Sequence, residues 1–245
     1  MGCQKTQQEI PNQDAARENG DRRMGQCNFV LKRFALVAFA CCIAAANTSA
    51  ATEQELVDQS VDILKKFYEM PEQKIPRRIM NNAHGLAIIR VLKAGFVFSG
   101  QGGQGVLVAR TTDGWSGPSF IGLGGAGWGL QVGGQITDFI FVLNSDAAVR
   151  AFSRDGNVKL GADVSAAAGP VGRDVQGDVL STAAVYTYSR SKGLFAGLSL
   201  EGAIIATQKT SNNRYYGRVV GARTILSGNV APPPGAERLI QLLNR

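Results

Sequence analysis

The feature that most constrains this chain is the glycine spacing from Ala94 to Gly134, AGFVFSGQGGQGVLVARTTDGWSGPSFIGLGGAGWGLQVGG. Glycine recurs every few residues between short apolar runs, among them Phe96-Val97-Phe98, Val106-Leu107-Val108 and Leu130-Gln131-Val132. Such glycine weakens a strand, so repeated glycine marks bends, bulges or close backbone approach. The pattern predicts a strongly curved antiparallel sheet, with Gly102, Gly105, Gly125, Gly127 and Gly129 at its tight points. Valine at Gly125 or Gly127 is expected to damage folding, by meeting packed backbone or a positive φ.

Two stretches match G-x-G-x-x-G formally: Gly100, Gly102 and Gly105, and Gly122, Gly124 and Gly127. The dinucleotide fingerprint needs a helix opening on its last glycine. VLVAR follows the first match and WGLQVGGQ the second, both strand patterns. The G-x-x-x-x-G-K-[ST] phosphate loop does not occur.

The first fifty residues read as a leader. Lys32 and Arg33 precede the apolar run Phe34–Ala46, and small residues follow to Ala50. That is the order of a secretory signal, over residues 24–50 if Met24 is the start. The run is shorter than the ~20 residues a membrane span needs. Two lipid readings compete: Met1-Gly2-Cys3-Gln4-Lys5-Thr6 fits a myristoylation pattern, and Cys41 is a poor lipobox cysteine. All four cysteines (Cys3, Cys27, Cys41, Cys42) lie in this segment. The part after Ala50 therefore has no disulfide framework and no thiolate metal site. The expected division is 1–50 as extension and signal and 51–245 as one domain, giving an exported, periplasmic or membrane-associated protein.

Beyond Ala50, Thr52-Glu53-Gln54-Glu55 forms a capping box. The helix it opens carries Val57, Val61, Leu64 and Tyr68 on one stripe, flanked by Leu56, Ile63 and Phe67. Pro71 stops it. A short helix, Pro76–Ala83, follows. Strands are expected at Leu86–Leu92, Gly95–Ser99, Gly105–Thr111, Trp128–Gly134, Ile136–Leu143, Val158–Ala168 and Ala183–Ser189. Asp113-Gly114 signals a hairpin. Asn144 or Ser145 caps a helix over Asp146–Phe152, and Asp155-Gly156-Asn157 turns the chain. Phe195–Ala206 is a further apolar segment. Tyr215-Tyr216-Gly217 leads to Val219–Leu226, and a last helix spans Ala236–Leu243.

Chemistry is sparse. His84 is the sole histidine and reads as a capping or surface residue; no G-x-S-x-G elbow accompanies it. One histidine without cysteine cannot form a His-containing metal cage. The carboxylates Asp113, Asp138, Asp163, Asp174, Asp178 and Glu201 lack EF-hand spacing, and Asp163, Asp174 and Asp178 read as turn caps. No catalytic residue, metal site or cofactor is expected. The net charge of +7 favours anionic partners, but no nucleic-acid motif is present. Positive charge concentrates at Lys65, Lys66, Lys74, Arg77, Arg78, Arg90 and Lys93, with few acids nearby.

The segments IPRRIMNNAHGLAIIRVLKAGFVFSGQGGQGVLVAR, DGWSGPSFIGLGGAGWGLQVGGQITDFIFVLN, GADVSAAAGPVGRD, YSRSKGLFAGLSLEG and YYG, in this order, resemble the SYLF domain, also called the Ysc84 actin-binding domain. The resemblance runs from about Glu53 to Leu226. It implies phosphoinositide and actin binding, as in eukaryotic members, or lipid binding by an exported protein, as in bacterial ones. It also implies membrane contact through Leu56–Arg78, and no reaction. Many members carry lysine where this chain has His84.

The expected fold is α+β: a curved antiparallel sheet, open or closed into a barrel, with an N-terminal amphipathic helix and short packed helices. The expected function is non-enzymatic binding of anionic phospholipid by an exported bacterial envelope protein through Lys65, Lys66, Lys74, Arg77, Arg78 and Lys93. The alternative is a structural or protein-interaction module of the envelope, related to the actin-binding members. The oligomeric state is left open.

Overall fold

Two very long strands dominate the computed structural model: β1, Gly85–Thr111, and β3, Ser119–Leu143. The structure describes residues 51–69, 75–154, 156–163, 165–169, 183–193 and 203–245, with backbone alone at 96–98, 127–132, 168 and 192–193. The leader, Lys74, Asp155, Asp174, Asp178 and Glu201 lie outside the described residues. So does Phe195–Gly202 of the expected apolar segment.

The strands β1 and β3 form one antiparallel ribbon, from Gly85 opposite Leu143 to Leu107 opposite Ser119. The hairpin end carries β2, Gly114–Trp115, paired back on Arg110 and Thr111. Thr112 and Asp113 form the turn, one residue before the expected Asp113-Gly114, and Gly114 opens β2 at a φ of +120°. The remaining strands are β4 (Asn157–Lys159), β5 (Ala166–Ala168), β6 (Val185–Gly193) and β7 (Ile204–Thr207). They complete a seven-stranded sheet among the described residues, in the order β2-β1-β3-β6-β5, with β7 joining β3 to β4. Every pairing is antiparallel except β5 with β6.

The expected separate strands are continuous, because glycine bends the ribbon without breaking its ladder. Its two ends fold towards each other. The backbone of Gly103 lies against Arg90 and Val91, and that of Gly105 against Ile88 and Ile89, so close that an added Cβ would collide with the Ile88 carbonyl oxygen. Gly105 is among the expected tight points, and Gly103 is an addition to them. A Cβ at Gly125 would meet only the Gln101 side chain, and one at Gly102 would meet nothing within 4 Å. The expected backbone collision thus occurs at Gly103 and Gly105, not at Gly125; the side-chain surroundings of Gly127 lie outside the described residues.

Alternation divides the apolar residues between two cores. Leu86, Ile88, Val106, Val108, Phe120, Ile140 and Val142 face the first, Ala87, Ile89, Leu107, Ile121, Phe139, Phe141 and Leu143 the second. Near mid-ribbon the register changes: Phe96 faces Val132 but Phe98 faces Trp128. Four residues of β3 pass two of β1, and the side-chain alternation survives on both strands.

The first core is covered by α1, Glu53–Glu69, which buries Leu56, Val57, Val61, Leu64 and Phe67. Its capping box is reciprocal: Glu55 N–H donates to Thr52 Oγ1 at 3.3 Å, and Thr52 N–H donates to Glu55 Oε2 at 2.8 Å. Tyr186 and Tyr188 of β6 join this core, both on the one expected face. The second core is covered by α3, Asp146–Phe152, capped by Ser145 Oγ accepting from Ala148 N–H. A short helix α2, Arg77–Asn81, leads into β1.

The expected strand Val158–Ala168 is two strands. The chain turns at Gly161, φ +88°, where Asp163 Oδ2 accepts from Lys159 N–H. The C-terminal region departs further. Lys209–Tyr216 is a helix, α4, that no periodicity announced, and Ala222–Leu226, within the segment Val219–Leu226 to which the sequence assigns no element type, is a helix, α5. Tertiary contacts hold α4. Buried Asn212 accepts from Phe120 N–H at 2.7 Å, Tyr215 meets Phe120 edge-on, and Arg214 Nε donates to Glu53 at 2.8 Å. Gly217, left-handed at φ +65°, ends it. A 3₁₀ turn, Pro234–Ala236, then precedes α6, Glu237–Leu243.

Tyr215 and Tyr216 of α4 predict an alkaline transition. Burial, aided by Asp58, pushes Tyr215 up to about 12, and burial likewise raises Tyr216, beside Tyr215. The unfolded phenols titrate near 10. Folding therefore favours the protonated forms: the contribution is complete below about pH 10 and is lost as pH rises through the folded values. Tyrosinate absorbance and unfolding should appear together near pH 12; full titration of all tyrosines near pH 10 with the fold intact would contradict this.

Candidate functional site

The sequence between α1 and β1 alternates cations with apolar anchors, and the fold turns the two kinds in different directions. Ile75 and Ile79 are almost fully buried, and Arg77 and Arg78 are exposed. Beside them opens a cavity of about 460 Å³. Lys65, Tyr68 and Glu69 line it from the last turns of α1, and Arg77, Met80 and Asn81 from α2. Arg110 closes it from β1, and Leu242, Leu243 and Arg245 from the C-terminal segment.

Arg110 is held on two sides. Its guanidinium lies 4.2 Å from the centre of the Trp115 ring and donates to the Met80 carbonyl at 3.3 Å. Trp115 in turn donates its indole N–H to the Leu243 carbonyl at 3.2 Å, tying α6 to the hairpin. Burial pushes the Tyr68 phenol up, against the opposing pull of Arg110; it is a neutral hydrogen-bonding group at pH 7. Among the described residues, Lys65, Arg77, Arg110 and Arg245 thus line the cavity with one side-chain carboxylate, Glu69, beside apolar Ile75 and Met80. Among the described residues the lining contains no histidine, cysteine or serine. Its resources are positive charge, hydrogen bonds and apolar surface.

Of the residues expected to bind, Lys65 and Arg77 come together here. Lys66 and Arg78 neighbour them in sequence but do not line the cavity. Lys93, half-buried opposite Gln135 in the ribbon, does not line it either. Arg90, counted in the basic stretch, is paired: its guanidinium donates to both Asp138 oxygens, at 2.6 and 3.1 Å. His84 Nδ1 lies 2.7 Å from Asp146 Oδ1, tying the start of β1 to α3. Among the described residues no group of three or more His, Cys, Asp or Glu side chains could hold a metal. Arg110 and the α6 leucines were missed. The available signal was the hairpin at Asp113-Gly114, which sets Arg110 opposite Trp115.

The profile of the family described as "Ysc84: Las17-binding protein actin regulator" matches residues 124–245. The chain belongs to the Ysc84, or SYLF-domain, family. Its relatives include protein YSC84 of Saccharomyces cerevisiae, 49% identical over 177 residues, which are 70% of this chain and 38% of that protein. LAS seventeen-binding protein 3 of the same organism is 48% identical over 177 residues, 70% of this chain and 39% of its own. The SH3 domain-containing YSC84-like protein 1 of Homo sapiens is 42% identical over 194 residues, 76% of this chain and 57% of its own. The chain therefore spans between two fifths and three fifths of the length of these Ysc84-family relatives. The family description and the name LAS seventeen-binding protein 3 speak of binding and regulation, and none of these names speaks of a reaction.

Proposed function

We propose that the chain is a non-enzymatic interaction module that engages actin or an actin-regulating partner through the basic end of α1 and α2. The observation that carries this is the convergence of Lys65, Arg77, Arg110 and Arg245 on a cavity whose described lining holds no nucleophile–base pair. It is supported by kinship with proteins named for actin regulation and Las17 binding. Sequence reading set the protein-interaction function second; the relatives favour placing it first.

The test is co-sedimentation of the full chain with actin filaments, alone and with a Las17-type partner. The wild type is expected to pellet. The quadruple variant Lys65→Gln, Lys66→Gln, Arg77→Gln, Arg78→Gln should remain in the supernatant. Its thermal midpoint should move little, because surface substitutions change stability by roughly 0.5 kcal/mol or less each. A wild-type chain that never pellets with either protein rejects the reading.

The second reading is binding to anionic phospholipid by an exported protein. Exposed Arg77 and Arg78, close to Lys65 and Lys66 at the end of α1, favour it by charge; the apolar stripe of α1 is taken up by the first core. Each basic residue near an anionic surface contributes about 1 kcal/mol, screened beyond a Debye length. Vesicle binding on this reading falls steeply with salt, and equal binding to zwitterionic vesicles rejects it. Export would give a mature N-terminus near Ala51.

A further inference from the structure

We propose that the cavity between α1, α2 and α6 is a docking site for a short acidic peptide segment that also carries apolar side chains, presented by a protein partner. The proposal rests on the interaction-module reading in taking a protein as partner, and adds which chemistry is recognised and where.

Charge is the first argument. Four cationic side chains, Lys65, Arg77, Arg110 and Arg245, line the space, against the one side-chain carboxylate of Glu69 among the described residues. Arg110 is already fixed by Trp115 and the Met80 carbonyl. A carboxylate that reaches it pays little in side-chain ordering, and guanidinium forks match carboxylates in geometry.

The apolar lining is the second. Ile75, Met80, Leu242 and Leu243 are each under a tenth exposed and border the same space. A ligand made only of charge would leave that surface unused. A segment with carboxylates flanking a leucine answers both parts. The volume, about 460 Å³, lies in the range of sites that take small ligands. It accommodates a few side chains rather than a folded surface.

Concavity is the third. Attraction to a flat anionic surface depends on how many cations face it and treats neighbouring cations alike. Here Arg77 lines the cavity and Arg78, the next residue on α2, does not. A docked segment must distinguish them.

The experiment measures fluorescence anisotropy of a fluorescein-labelled Glu-Glu-Leu-Leu-Glu-Glu peptide with the full chain. Saturable binding is expected, together with at least ~tenfold weaker binding for Arg77→Glu and for Lys65→Glu, where attraction becomes repulsion. Arg78→Glu should weaken it no more than about twofold, since exposed pairs contribute little. Circular dichroism should be unchanged in all three. Absence of saturable binding overturns the proposal, as does equal binding of the glutamine counterpart or equal loss with Arg77→Glu and Arg78→Glu. Displacement by inorganic phosphate or phosphatidylserine vesicles at lower concentration than by unlabelled peptide assigns the cavity to phosphate and overturns it too. If the peptide fails while actin still pellets the chain, the docking site falls and the broader reading stands. If the peptide binds and actin does not pellet the chain, the actin reading falls alone.

Discussion

Gly105→Val is expected to abolish cooperative folding. A Cβ at this position would overlap the Ile88 carbonyl oxygen and come within 2.7 Å of Ile89 Cα. Both are backbone atoms of a strand hydrogen-bonded to β3, so no rotamer change relieves the overlap. Overpacking into side chains costs about 1–3 kcal/mol; overpacking into a fixed strand should exceed ~4 kcal/mol, enough to unfold many domains. Gly102→Val is the control: a Cβ there meets nothing within 4 Å, and valine suits a strand. Urea unfolding followed by tryptophan fluorescence should show a normal transition for the control and none for Gly105→Val. Equal midpoints for the two would mean that the ribbon does not fold back on itself as described.

Phe141→Ala should remove about 3–5 kcal/mol, the usual cost of deleting a buried phenyl ring. Phe141 is fully buried, stacked on Phe139 at 5.7 Å between ring centres, with Phe152 of α3 at 6.3 Å. The loss lies in the second core, remote from α1. Because the ribbon carries both cores, it should nevertheless lower the one midpoint shared by all probes. Two separate transitions, with the α1 side unmoved, would show that the cores melt independently.

Local rules made part of this molecule legible. The Thr52–Glu55 capping box, the Ser145 cap and the Asp113-Gly114 turn each depend on side chains a few residues apart, and each occurs within one residue of where the sequence sets it. Glycine announced curvature and named Gly105 among its tight points, but not Gly103, nor which of the named glycines meets backbone. That depends on Gly103 and Gly105 meeting Arg90 and Ile88 across the fold, a contact without a local signature. Helix α4 was illegible for the same reason. KTSNNRYY has little helical propensity, and its hold comes from Phe120 and Glu53, far away in the chain. The cavity was half legible. Lys65 and Arg77 lie in a visible run of cations, whereas Arg110, Leu242 and Leu243 arrive from other parts of the chain.

The two-residue change of register in the ribbon has a consequence for how such a chain can vary in length. Both faces of β1 and β3 are buried near the two ends of the ribbon, so the identity of each core depends on which residues are odd and which even. One residue inserted between Phe98 and Gly105 would exchange the faces of Val106, Leu107 and Val108. Apolar side chains would still meet apolar surroundings, but every ring and branch would occupy a space shaped for another. Two residues inserted together would restore the alternation and add one more step of the kind already present at Phe96 and Phe98. Length variation along this ribbon is therefore expected in pairs. A deletion scan read by solubility should alternate, with even steps tolerated and odd ones lost.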